Sequence, residues 1–289
     1  MPELPEVETI RRDLSRLIVG KKILDISTDS PKQVQPSLAV VKKMVVGKKI
    51  LGVKRRAKLL ILKLGGRSNK KRESLRTLKA SEDTEKFLAI HLKLTGRLLV
   101  RRSGDPPDDW EHVTISLSGN KELRFADLRK FGWIRLVDSD QLSVISDELG
   151  IEPLIPEFTL EKFIQIIHSS TRPIKLVLMD QEKIAGVGNI YANDALFLAK
   201  IRPDKPAKKL SDLEIKKLRE AIIKVLKAGI KYRGASDQYY LDALGRKGSY
   251  QDHFLTYGRE GKKCFDCKGE IRKIKVGGRG TFYCPECQK

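Results

Sequence analysis

No stretch of this 289-residue chain approaches the roughly 18 consecutive apolar residues that read as a membrane-spanning helix. The N-terminus lacks the charged-then-apolar layout of a secretory signal, so the expected compartment is the cytoplasm. Cysteine is missing from everything before Cys264; all four cysteines fall in the last 26 residues. In a reducing compartment such a cluster argues against a disulfide framework. Acidic residues are scarce relative to basic ones: 37 Asp and Glu against 58 Lys and Arg leave a net charge of +21. That excess points to a polyanionic partner, because phosphate contacts release counterions and dominate affinity. Solubility or an anionic membrane surface is the other reading, but no basic amphipathic segment with exposed aromatics supports the membrane. There is no internal repeat and no Walker pattern. What remains, 40% hydrophobic and 33% charged residues, is a globular composition with room for two domains.

Residues 5 to 18 predict a helix: Val7, Ile10, Leu14, Leu17 and Ile18 recur at helical spacing, Pro5 suits the first turn, and Gly20 can end it. From about 22 to 137 the pattern becomes short apolar runs separated by turn residues. Lys58–Leu64, Phe87–Leu92, Arg97–Val100, His112–Leu117 and Trp133–Val137 predict a β-sandwich or barrel. The polar stretch Gly65–Glu85 reads as a long hairpin insertion. Helical periodicity returns in Thr159–His168, Ile174–Asp180, Ile190–Leu198 and Ser211–Lys227, where Ser211 and Glu214 form a capping box. A Gly-rich loop region over 229–261 leads to the cysteines.

Cys264-x-x-Cys267 and Cys284-x-x-Cys287, with 16 residues between the pairs, have the spacing of a four-cysteine zinc site; a redox dithiol pair is the alternative. Strand-like Ile271–Val276 and Thr281–Tyr283 flank a Gly-rich turn holding Arg279. A site closed by four thiolates makes the metal structural. Nine Lys or Arg against four Asp or Glu in 259–289 suit phosphate contact. Gly186-Val-Gly188-Asn189-Ile-Tyr191 precedes a helix, where backbone N–H groups can meet a phosphate. Taken alone the segment reads first as a tight helix–helix turn; beside the charge of +21 it reads as a clamp on the DNA backbone. Met1-Pro2 is a start from which Met1 is expected to be trimmed, leaving a proline amine. An α-amine titrates near about 7.7–8.0, against about 10.4 for lysine. Proline's more basic amine needs help, which a helix N-terminus and a nearby cation supply. It can then attack a sugar carbon and form an iminium, with Glu3 placed to shuttle protons.

The opening Met-Pro-Glu-Leu-Pro-Glu-Val-Glu-Thr resembles the start of the formamidopyrimidine-DNA glycosylase family. So do Arg55-Arg-Ala-Lys58, His91-Leu-Lys-Leu-Thr-Gly96, Asp127-Leu-Arg-Lys-Phe-Gly132, the 186–191 segment and the cysteine module, in the same order over nearly the whole chain. The resemblance implies an α+β multidomain chain: an N-terminal β-sandwich with a leading helix (1–137), a linker (138–156), a helix–two-turn–helix domain with a lesion loop (157–260), and a zinc finger (261–289). It makes Pro2 the nucleophile, Glu3 the proton donor, and Lys58 a helper in elimination; by position alone Lys58 is a surface strand lysine. Arg279 and Asn189 hold phosphates at the lesion, and Arg279 also serves the second elimination. Glu6, His91 and Lys175 join the DNA-binding set, although Glu6 also complements a helix dipole.

Removing a base from a duplex requires turning the nucleotide out of the stack, and the resemblance assigns the void to Leu94, Arg129 and Phe131. The first and last are otherwise strand-core residues. Leu94 stands where relatives carry Met; Trp110-Glu111-His112 stands for a His-Asp-His, which puts a DNA contact at 110 in doubt; the 65–85 insertion is longer than usual. Arg233–Tyr250 resembles the loop closing over the flipped base. The implied activity is excision of 8-oxoguanine and formamidopyrimidines, then β,δ-elimination, in base excision repair. The implied partner is damaged double-stranded DNA bound by a nucleoid-associated monomer with one structural zinc ion. A sister enzyme for oxidised pyrimidines, a non-enzymatic zinc-containing DNA-binding protein, and an RNA-associated basic protein are the rivals.

Overall fold

The computed structural model describes residues 1–66 and 85–289, so all but the margins of the 65–85 insertion lies outside the described residues. Contacts divide the chain into two compact units. One holds Met1–Pro2, Glu6–Asp147 and Ser236–Lys247; the other holds Glu3–Pro5, Glu148–Ala235 and Gly248–Lys289.

In the first unit, helix α1 (Leu4–Leu17) turns Val7, Ile10 and Leu14 inward, with Ile18 just beyond it, all fully buried. Nine strands follow among the described residues: β1 (Ile23–Thr28), β2 (Val34–Gln35), β3 (Lys49–Arg56), β4 (Leu59–Gly65), β5 (Lys86–His91), β6 (Gly96–Arg102), β7 (Glu111–Leu117), β8 (Lys121–Asp127) and β9 (Trp133–Asp138). They form a four-stranded sheet, β1-β7-β8-β6, and a five-stranded sheet, β2-β9-β5-β4-β3. All pairs are antiparallel except β2 with β9. Ile26, Leu98, Val113 and Phe125 of one sheet share a buried cluster with Leu60, Leu62, Leu88 and Ile90 of the other, which makes the predicted sandwich. The opposite face of the larger sheet carries Leu59, Ile61, Phe87 and Ala89, covered by Leu142 and Ile145 of α3 (Ser139–Asp147). Burial on both faces explains the unbroken apolar run at 59–62, since strands covered on two sides lose polar alternation. A short helix, α2 (Leu38–Val45), starts at a Ser37 cap.

The second unit contains α4 (Leu160–His168), α5 (Ile174–Met179), α6 (Asn189–Leu198) and α7 (Asp212–Lys231), followed by the hairpin β10 (Arg272–Val276) and β11 (Arg279–Tyr283). The Ser211–Glu214 capping box is formed, and α7 runs four residues past the predicted Lys227. Every residue of α6 from Ile190 to Phe197 is buried, as expected of the central helix in a helical layer. Phe197 packs with Cys264, Ile271 and Cys284, so the hairpin module is built onto α6. Among the described residues no helix is long and apolar enough to cross a membrane.

Candidate active site and zinc centre

The glycine turn before α6 is shaped by what it approaches. Gly186 has φ +98°, and a Cβ there would lie 2.7 Å from Leu4 Cδ1. Leu4 N–H donates to the Gly186 carbonyl at 3.0 Å. Gln181 clamps the turn, donating from Nε2 to the Val187 carbonyl (2.8 Å) and accepting the Gly186 N–H (2.9 Å). This brings Glu3, 2% exposed, to the N-terminus of α6, where its Oε1 accepts the Ile190 N–H at 2.8 Å and its Oε2 faces the Tyr191 N–H at 3.5 Å. The anion met by these two amides is therefore a carboxylate of the chain itself, a partner that satisfies both the orphan donors and the helix dipole.

Beside Glu3 lies Lys175, with no exposed surface. Its Nζ donates to the Gly280 carbonyl (3.0 Å) and to Thr281 Oγ1 (2.6 Å). Burial pushes this ammonium down to about 7; Glu3 opposes the shift and Arg279 adds to it. Asn189, half-buried, donates from Nδ2 to the same Gly280 carbonyl at 3.2 Å. Arg279 itself is exposed. Glu3, Lys175, Asn189 and Arg279 thus lie in one unit, with Lys175 and Asn189 meeting at the Gly280 carbonyl and the charges of Glu3 and Arg279 both felt by Lys175. The four cysteine Sγ atoms lie within 4.8 Å of one another, with Cys264–Cys287 at 3.8 Å and Cys267–Cys284 at 3.4 Å. Tetrahedral coordination with Zn–S of about 2.3 Å places sulfurs about 3.8 Å apart, so the cluster fits one zinc ion.

In the first unit Pro2 is buried, while Met1 is 47% exposed. Glu6 is 1% exposed, and its backbone carbonyl accepts the Tyr240 hydroxyl at 3.4 Å. Lys58, 7% exposed and not on the surface, follows the β3–β4 turn at Ala57, whose φ is +52°. Arg55 fixes that turn, donating to the Ala57 carbonyl (2.9 Å) and to Glu8 (3.3 Å). Glu8 is held down to about 2: burial works against ionisation, but the Arg11 and Arg12 hydrogen bonds and the Arg55 charge outweigh it. Burial, with Lys93 and Lys58 nearby, lowers His91 to about 3. Its Nδ1 accepts the Lys93 N–H at 2.9 Å, so the neutral ring carries its proton on Nε2.

Asp127 organises the β8–β9 turn. Its carboxylate accepts Thr95 Oγ1, the Arg129 N–H (3.2 Å) and the Gly132 N–H (2.7 Å). Above this root Phe131 is 53% exposed, off the strand core, with the exposed Arg129 guanidinium 4.7 Å from its ring centre. Leu94 is half-buried in the neighbouring β5–β6 turn. Trp110, with φ +59°, lies 5.2 Å beneath Arg97 and 6.1 Å edge-on to Tyr239. Segment Ser236–Lys247 is tied to this unit through Arg97 Nε to the Tyr239 carbonyl (2.6 Å) and Val100 N–H to the Ala243 carbonyl (2.8 Å). Local sequence gives Glu8, Thr95, Asp127 and Asn193 no role; each has one partner distant in sequence, Arg55 for Glu8, Thr95 and Asp127 for one another, and Phe282 for Asn193.

Three family models match in succession: the formamidopyrimidine-DNA glycosylase N-terminal domain over residues 1–134, its H2TH domain over 149–240, and a zinc finger found in FPG and IleRS over 261–289. A formamidopyrimidine-DNA glycosylase of Pelotomaculum thermopropionicum is 42% identical, covering 100% of this chain and 99% of its own. That of Lactococcus lactis subsp. lactis is 38% identical over 100% of both. A solved Lactococcus lactis Fpg bound to DNA containing an abasic site superposes with a TM-score of 0.88 at 38% identity, over 99% of both chains. A variant of that protein bound to Fapy-dG containing DNA gives 0.88 at 37% identity, over 100% of both. By sequence and by fold, the chain belongs to the formamidopyrimidine-DNA glycosylase family.

Proposed function

We propose that this chain is a bifunctional DNA glycosylase and abasic-site lyase that removes 8-oxoguanine and formamidopyrimidines from duplex DNA. The observation that carries the reading is Glu3: the residue after Pro2 has its carboxylate fixed by two backbone amides of α6. Removal of Met1 frees the Pro2 amine, which attacks C1′ while the bond to the base breaks and Glu3 supplies protons to the departing base. The sugar ring opens to an iminium on the Pro2 nitrogen. Loss of a C2′ proton lets the 3′ phosphate leave, and a second elimination releases the 5′ phosphate, with Lys58 assisting. Hydrolysis of the iminium returns the amine. Arg279 and Asn189 hold phosphates, while Lys175, buried beneath the turn, serves DNA binding by holding the Gly280 carbonyl that Asn189 also meets; Arg279 also serves the second elimination. His91 donates from Nε2 to the DNA, and Glu6 lines the lesion site. Leu94, Arg129 and Phe131 fill the void, with Arg129 using its fork of donors on the widowed cytosine.

The zinc ion, when bound by Cys264, Cys267, Cys284 and Cys287, supplies fold and no reacting group. The chain acts as a monomer at the nucleoid, and 1–137, 138–156, 157–260 and 261–289 are its catalytic, linker, helical and finger segments. The test is incision of a labelled duplex with 8-oxoguanine opposite cytosine. A one-nucleotide gap with phosphate at both ends supports the reading, and Lys58→Met should slow its formation. Cleavage confined to oxidised pyrimidines would move the assignment to the sister activity. Binding without cleavage of any lesion would leave a DNA-binding protein.

A further inference from the structure

Asn193 lies one turn into α6 and is 1% exposed, an unfavourable residue in a helix interior unless its amide is used. Here both ends are used. Its Nδ2 donates to the Asn189 carbonyl at 2.6 Å and lies 3.4 Å from Asn189 Oδ1; its Oδ1 accepts the Phe282 N–H at 2.8 Å. Phe282 belongs to β11, three residues after Arg279. Asn189 and Lys175 both donate to the Gly280 carbonyl, and the Thr281 hydroxyl that receives Lys175 donates onward to the Arg279 carbonyl at 3.0 Å. Gly280, Thr281 and Phe282 are thus each tied to the helices, while Arg279 projects exposed from the end of the strand. The turn cannot hold that arginine by itself. Gly277 and Gly278 both have positive φ, +55° and +77°, and an isolated two-stranded hairpin is marginal in water.

We propose that Asn193 is a positioning residue that locks β11 and the Asn189 amide onto α6 in one register, and thereby aims the Arg279 guanidinium at a phosphate of the damaged strand. The proposal rests on the reading that Arg279 grips phosphate. Asn189 is reached twice by this device, through its carbonyl and through its side chain, so one substitution at 193 loosens both phosphate-binding residues.

The test is a double-mutant cycle on the full chain, with dissociation constants for a duplex carrying a tetrahydrofuran abasic analogue opposite cytosine. Asn193→Ala should weaken binding about tenfold, a coupling of the size seen within one hydrogen-bond network. Zinc content should stay at one per chain. In the Arg279→Ala background the same change should cost about twofold or less. If the alanine variant loses zinc, Asn193→Asp, which keeps the acceptor for Phe282, replaces it in the cycle. An equal penalty in both backgrounds, or no penalty in either, overturns the positioning role. An Arg279→Ala protein that binds as well as the parent would instead remove the phosphate reading of Arg279, and this proposal with it.

Discussion

Gly188→Ala is a sharp probe of the Glu3 arrangement. The residue has φ −133° and ψ −157°, ordinary for alanine, so the backbone adds no strain. A Cβ at Gly188 would lie 2.3 Å from Glu3 Cδ and 2.5 Å from its Oε1. Ordinary carbon contacts need about 3.5 Å, so the carboxylate must retreat by roughly 1.2 Å. The Ile190 N–H bond, 2.8 Å in the parent, is then broken. A hydrogen bond to a charged group contributes about 1.5–3 kcal/mol, and the buried amide is left unsatisfied. A misplacement of about 1 Å in a catalytic group can slow reaction about 10²-fold. Single-turnover base release from an 8-oxoguanine duplex should fall by about that factor. Strand cleavage at a preformed abasic site needs no proton for a departing base and should fall less than about tenfold. Base release at the parental rate, with an unchanged urea midpoint, would refute the claim that Glu3 is held here for proton transfer.

Other expectations follow from the same geometry. Arg129→Ala and Phe131→Ala, at exposed positions, should leave the unfolding free energy from urea titration within about 0.5 kcal/mol of the parent while weakening binding to a flipped-lesion duplex, measured by fluorescence titration. Chelation of zinc, or Cys267→Ser, should release the finger turn and abolish binding; retention of full affinity in metal-free protein would contradict a structural zinc. Glu8 has its folded pKa lowered from 4.5 to about 2, so its contribution is complete above pH 4.5 and lost as pH falls through 2. That difference amounts to about 3 kcal/mol. Urea unfolding at pH 7 and pH 3 should show a smaller acid loss in Glu8→Gln than in the parent; an equal loss would place the acid sensitivity elsewhere.

Where local chemistry decides, the sequence was readable. The capping box at Ser211, the paired cysteine knuckles and the apolar spacing of α1 each state their structure within a few residues. Strands β1, β3 and β8 are harder to see. β3, for example, spends Lys49, Lys54, Arg55 and Arg56 on polar positions, leaving only Ile50 and Val53 buried. The helix α3 buries no residue fully and so carries little periodic signal. At the site, a helix N-terminus after Gly188 announced an anion, but not which one. That Glu3 fills the role depends on a contact across 187 residues of sequence, which no local pattern encodes. The same holds for Asp127 with Thr95, and for Asn193 with Phe282.

Whether the Pro2 amine is the nucleophile is read out by borohydride trapping on a duplex with 8-oxoguanine opposite cytosine. A covalent adduct mapped to a peptide beginning at Pro2, and absent when Met1 is retained, is the predicted result. No adduct, or one mapped to a lysine, from protein shown to lack Met1 and to hold zinc, would contradict the mechanism.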